Sequence, residues 1–174
     1  MLETVALETV AIETVFEHRF SDRGLAIAEH GRVVIMVWRG VPTAERIERA
    51  TTALGAIAAR LGGRVSLLAV IEERSPPPEV EHFHLAVRGF DEHRDALLAT
   101  VGVLEDRTAM SVVLEAASII RALQRRPTPT KFCADAREAA TWLGSRHPHG
   151  GDPATFAVSL SEAVETTRAR LDRP

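Results

Sequence analysis

Pro129-Thr130-Lys131-Phe132-Cys133-Ala134-Asp135-Ala136-Arg137-Glu138-Ala139-Ala140-Thr141-Trp142-Leu143 decides the fold class. Lys131 to Ala134 form a short strand suited to burial, and the chain passes from it directly into a helix. Asp135 is placed to accept from the first free backbone N–H groups, and Glu138, three residues on, to reach back, which is the spacing of a capping box. Ala136, Ala139, Ala140 and Leu143 recur at helical spacing, with Trp142 beside them. So abrupt a change from strand to helix marks the closing unit of a small α/β domain.

Upstream, the same alternation recurs. Arg32 to Trp38 is a nearly continuous apolar run, the pattern of a central strand buried on both faces. Pro42-Thr43 opens a helix with Thr43 as N-cap and Glu45 at its positive end. Ile47, Ala50, Leu54, Ile57, Ala58 and Leu61 make its apolar stripe, and Gly62-Gly63 stops it. Val65 to Ile71 is a second buried strand. After the Pro-rich loop Glu72 to Pro78 comes a helix from Glu79 to about Arg94, with Val80, Phe83, Val87 and Phe90 inward. Leu97 to Leu104 is a third apolar strand, followed by a helix from Ala109 to about Arg126 that Pro127 and Pro129 end. Two strands open the domain, Val15 to Phe20 and Leu25 to His30, separated by the turn Ser21-Asp22-Arg23-Gly24. A weaker amphipathic helix, Ala154 to Leu171, carries Phe156, Leu160 and Val164 on one side.

The expected order is β-β-β-α-β-α-β-α-β-α plus a tail helix. Strands alternating with helices imply parallel βαβ units with right-handed crossovers. The fold class is therefore α/β: a mixed sheet with central parallel strands and an antiparallel edge hairpin, covered by about four helices, plus the extra C-terminal helix. The chain starts with a five-residue repeat, Leu2-Glu-Thr-Val-Ala6, Leu7-Glu-Thr-Val-Ala11 and Ile12-Glu-Thr-Val-Phe16, which matches neither the helical nor the strand period, and residues 1–13 are expected to be flexible. The domain is expected over residues 14–146, with a linker and C-terminal helix over 147–174.

Composition excludes several classes. A chain of 174 residues can bury a sizeable core without disulfides or metal. A net charge of −3 offers no general attraction to nucleic acid or anionic membranes. No apolar run approaches the roughly 20 residues of a membrane span. The start of the chain has no basic-then-apolar signal, so a cytoplasmic location is expected. The single cysteine, Cys133, lies in a strand and reads as a small buried hydrophobe.

Three groups of residues resemble the STAS superfamily, the fold of anti-sigma-factor antagonists, and within it the SpoIIAA-like group, whose architecture is related to CRAL-TRIO lipid-binding domains. They are Val37-Trp38-Arg39-Gly40 followed by Pro42-Thr43-Ala44-Glu45; Leu98 to Asp106; and Phe132 with Asp135 to Leu143. The match spans about residues 15 to 145 and is carried by the order and spacing of the three motifs together. The resemblance implies a non-enzymatic regulatory module of bacterial type that docks on a protein partner through the helix after the second central strand. Arg74, Glu81, His84 and Arg88 are the contact candidates there. It also implies a regulatory phosphosite, for which Ser75 stands in the right place. A phosphate at Ser75 would add about −1.5 to −2 charge at a helix N-terminus. This chain departs from the family in having Glu73-Arg74-Ser75-Pro76-Pro77-Pro78 instead of an Asp-x-Ser-Gly-type loop, and the prolines remove N–H groups that would cradle a phosphate.

Chemistry finds little support. His82 and His84 are two apart on a helix and point about 200° apart, so they cannot share an ion. His147 and His149 lie in a loop with no carboxylate or cysteine pattern to complete a metal site. No Gly-x-Ser-x-Gly elbow, dinucleotide fingerprint or P-loop is present. Arg121, Arg125 and Arg126 compensate a helix dipole, and Glu72-Glu73 reads as a surface pair. No catalytic residue, metal or cofactor is expected. The helix from Ala109 exceeds a structural requirement, because Met110, Val113 and Leu114 form one apolar stripe and Ile119 and Leu123 belong to another. With Phe83 these residues define a candidate apolar pocket or interface. Its expected cover is the tail helix or a second copy of the chain, then a partner protein, then a lipophilic small ligand. Runner-up readings are therefore a small hydrophobic-ligand or lipid-binding domain and a structural homo-oligomer subunit.

Overall fold

The computed structural model describes residues 16–73, 75, 79–105, 128–146 and 152–172. The N-terminal repeat, Arg74, the apolar residues between 106 and 127 (Met110, Val113, Leu114, Ile119 and Leu123 among them), and His147 and His149 lie outside the described residues. The elements are β1 (Phe16–Ser21), β2 (Leu25–His30), β3 (Val33–Trp38), α1 (Ala44–Arg60), β4 (Val65–Ile71), α2 (Val80–Glu92), a 3₁₀ turn (Arg94–Ala96), β5 (Leu97–Leu104), β6 (Thr130–Cys133), α3 (Ala136–Gly144) and α4 (Pro153–Arg168).

Six strands form one sheet in sequence order, β1 to β6. β1, β2 and β3 are antiparallel neighbours, and β3 through β6 are parallel. The expected α/β class, with an antiparallel edge and a parallel centre, is what the chain adopts. Successive parallel crossovers of one hand, each stepping the same way across the sheet, put their helices on the same face. Accordingly α1 and α2 share one face. There Ile47, Leu54 and Ile57 meet Leu25, Ile27, Val34, Met36 and Leu67. After β6 the chain crosses to the other face. Ala139, Ala140 and Leu143 of α3, with Phe156, Leu160 and Val164 of α4, cover Ala28, Val33, Ile35, Val37, Leu68 and Val101. α4, placed by the sequence after residue 146, thus shares a core with the strands. Its stripe is buried although its amphipathicity in sequence is weak.

The caps form largely as expected. The Thr43 side chain accepts from the N–H of Arg46, and Asp135 Oδ1 accepts from the N–H of Glu138 at 2.8 Å. The return half of the Asp135–Glu138 box differs. Glu138 reaches back to the Lys131 ammonium at 2.8 Å and to the backbone N–H of Ala134, one residue short of the N-cap. α4 has a cap the sequence reading missed. Pro153 sits at the first helical position, and Asp152 accepts from the N–H and hydroxyl of Thr155 at 2.9 and 2.8 Å. In the β1–β2 turn, Asp22 Oδ1 accepts from the N–H groups of Gly24 and Leu25 at 2.6 and 2.8 Å.

Small residues set the helix spacing. A Cβ on Gly144 would lie 2.9 Å from the Pro153 carbonyl oxygen, backbone against backbone where α3 meets α4. A Cβ on Gly55 would instead meet the end of the His93 side chain, which can turn away. Gly144→Ala should cost about 1–3 kcal/mol. Gly55→Ala should change stability by under about 1 kcal/mol, because it gains helix propensity. Urea titration of both variants measures the difference, and equal costs would mean that α3 and α4 are not held in this close contact.

Candidate functional site

In open α/β sheets, ligands settle beyond the carboxyl ends of the parallel strands. Here β3, β4 and β5 end at Trp38, Ile71 and Leu104. The residues that follow are Arg39-Gly40, Glu72 and Glu105. Arg39 grips both carboxylate oxygens of Glu72, Nε at 2.5 Å and Nη2 at 3.1 Å. Its Nη1 donates to Asp172 at the C-terminal end. Arg168, in the last turn of α4, lies 3.3 Å from the second oxygen of Glu72 and also pairs with Glu105 and Glu165. The hydrogen bonds that Arg39 donates to Glu72 and Asp172 hold its guanidinium well above its ordinary range. The cluster ties three strand ends to the C-terminal helix.

Glu72 was read as a surface carboxylate, and that reading is corrected. It is 9% exposed, while Glu73 next to it is exposed. The N–H of Glu72 donates to the Trp38 carbonyl at 3.0 Å, which continues the β3–β4 pairing one residue past the strand and keeps the side chain between two arginines. None of these partners is near in sequence, so no local signal marked the site.

Ser75 belongs to the same corner. It is 6% exposed rather than a solvated loop residue. Its Oγ accepts from the N–H of Gly40 at 3.1 Å and donates to the Trp38 carbonyl at 3.4 Å, and its own N–H donates to the Glu72 carbonyl at 3.1 Å. Gly40 takes φ +73°, a conformation glycine adopts without strain, and so turns its N–H toward Ser75. In this conformation the hydroxyl is a latch between the β4–α2 loop and the end of β3. A phosphoryl group could reach it only after the loop opened.

On α2 the structure brings three of the contact candidates together. Glu81, His84 and Arg88 are all exposed, and their spacing of three and four residues makes them one outward stripe. Phe83 is half-buried and meets the His84 ring edge-on at 6.2 Å. Among the described residues, no group of three or more histidine, cysteine or acidic side chains could hold a metal ion. No described helix is long and apolar enough to cross a membrane.

An open groove of about 580 Å³ runs along α3 beside the end of β6. Two of its charges pair with each other, Lys131 with Glu138, and the Arg146 guanidinium lies 4.6 Å from the centre of the Trp142 ring that lines it. Cys133 is buried on the α3 side of the sheet, and burial pushes its thiol up to about 11.

Comparison of the chain with protein-family models, with curated proteins and with solved structures returned no match.

Two outcomes are expected. Glu72→Ala leaves two guanidinium groups, each about a third exposed or less, without their shared acceptor and should cost about 1–3 kcal/mol, whereas Glu73→Ala should stay within about 0.5 kcal/mol. Urea titration of each variant is the check. At neutral pH Cys133 should resist iodoacetamide in the folded protein and react once urea unfolds it, because the thiolate is the nucleophile. Rapid labelling of the native chain would show that the thiol is accessible.

Proposed function

We propose that this chain is a non-enzymatic regulatory module of STAS-like type that acts by binding another protein through the outer face of α2. The observation that carries the reading is the stripe Glu81, His84 and Arg88, three charged or titratable side chains exposed on one line of one helix. The Ser75 hydroxyl ties the chain just past β4 to the end of β3. A helix face that is already ordered before binding lowers the ordering cost of association. At the carboxyl edge of the sheet, by contrast, the arginines and carboxylates neutralise one another. A catalytic acid or base would have to break those pairs before acting.

The test uses the whole chain with a photo-crosslinking residue in place of His84, and a second chain carrying it at Val158, which is 59% exposed on the opposite face. In extracts of the source cells, the first should give one dominant protein adduct and the second should not. Combining Glu81→Arg with Arg88→Glu should cut capture about tenfold or more, with the thermal midpoint unchanged, as expected when charged contacts at an interface are reversed. Equal adducts from both positions, or full capture by the charge-reversed chain, would remove α2 as the docking face.

A further inference from the structure

His30, the last residue of β2, is 4% exposed and lies under the first turns of α4. Its Nε2 is 3.0 Å from Ser159 Oγ. The Ser159 hydroxyl hydrogen is already committed to the Phe156 carbonyl at 3.0 Å. With its hydrogen there, Ser159 accepts from Nε2–H; whichever nitrogen carries the proton in the neutral ring, the imidazolium has an N–H on both and needs an acceptor at Nδ1. Nδ1 is buried and has no hydrogen-bond partner among the described residues. The ring tilts against Phe156 with centroids 5.9 Å apart.

Among the described residues, the packing partners of His30 other than Ser159 are apolar. Phe16 of β1 and Val33 of β3 are its register partners, and Phe156 lies above it. Glu29, the next residue on β2, points to the opposite face, where Arg19 and Arg60 hold it. The charged residues of α4 lie further along the helix: Glu162 is exposed, while Glu165 and Arg168 pair with each other. Asp152 caps the first turn of α4, where its carboxylate accepts from Thr155, and on the same face of the sheet His18 of β1 lies opposite Ala28. Burial and then the charge of Arg170, just past the end of α4, hold His18 below its ordinary value.

We propose that α4 is an acid-released cover: protonation of His30 uncouples the helix from β2 and uncovers the apolar face formed by Ala26, Ala28, Val33, Ile35 and Val37. A proton on Nδ1 creates a buried cationic N–H with no acceptor among the described residues, a cost that opening relieves. A proton on His18 adds repulsion of Arg170 at the other end of the helix. Burial holds the His30 imidazole below its ordinary 6.5, in keeping with this geometry. The sign follows from that direction. The open form binds the proton more readily, so the cover is fully stable above about pH 6.5 and weakens as the pH falls below it.

Hydrogen exchange of the whole chain at about pH 7.5 and about pH 5.5, corrected for intrinsic rates, tests the device. If the closed form excludes the proton, opening of α4 should rise about tenfold between the two, while β3 and β4 keep their protection. His30→Gln retains a donor for Ser159 and cannot titrate, so it should remove most of the rise and leave only the smaller part that His18 contributes. A rise of equal size in His30→Gln, simultaneous loss of protection in α4 and the central strands, or no rise at all would overturn the proposal. NMR titration of the His30 ring in the unaltered protein is independent of any variant, and a value at or above 6.5 would overturn it as well.

Discussion

The structure depends on covering β3 from both sides. Val33 to Trp38 are six consecutive apolar residues, and all are buried. A strand pleat sends Val33, Ile35 and Val37 one way and Val34, Met36 and Trp38 the other, so neither face can be left to water. One face is closed by α1, whose caps and stripe are set within its own sequence. The other is closed by α3 and α4 from the far end of the chain. β2, although it belongs to the antiparallel part, is buried throughout for the same reason. It lies beside β3 under the same two covers, and β1 takes the exposed antiparallel edge.

That arrangement brings charge into places a surface reading does not anticipate. Covering a sheet to its ends means enclosing the residues just past the strands, and here those residues are Arg39, Glu72 and Glu105. A buried carboxylate is tolerable only with partners that satisfy it, and the bidentate grip of Arg39 with Arg168 alongside supplies them. Glu29 repeats the solution on the α1 side, held between Arg19 and Arg60. The proposed regulatory reading draws on the same economy: charges that hold the frame together pair internally, and those left outward on α2 form a stripe.

What could be read from the chain alone follows from which interactions are local. Uninterrupted apolar runs and caps within three residues fixed Val65–Ile71 and Leu97–Leu104 to the residue, and placed Thr43 and Asp135 at helix starts. The α4 cap was equally local, in Asp152-Pro153, but was passed over for the apolar residues that follow it. Glu72 was misread because its partners stand 33 residues earlier and 96 residues later in the chain. Ser75 was correctly placed in the loop before α2. Its burial depends on the carbonyl of Trp38 and the N–H of Gly40, which no pattern within that loop can reveal. That Glu81, His84 and Arg88 share one exposed line of α2 follows from helical spacing alone.

The strictly consecutive strand order has a consequence for how the molecule is made. Each strand from β2 onward docks against its immediate predecessor, so the sheet can grow outward as the chain leaves the ribosome, with little rearrangement. The exception is the side of β2 and β3 facing α4. Residues 26–37 are synthesised early, but the helix that shields them spans Pro153–Arg168 and is made more than a hundred residues later. Throughout elongation that greasy strip has no native lid, and the nascent chain is most exposed to aggregation and to chaperone capture on the surface that is best protected once synthesis is complete.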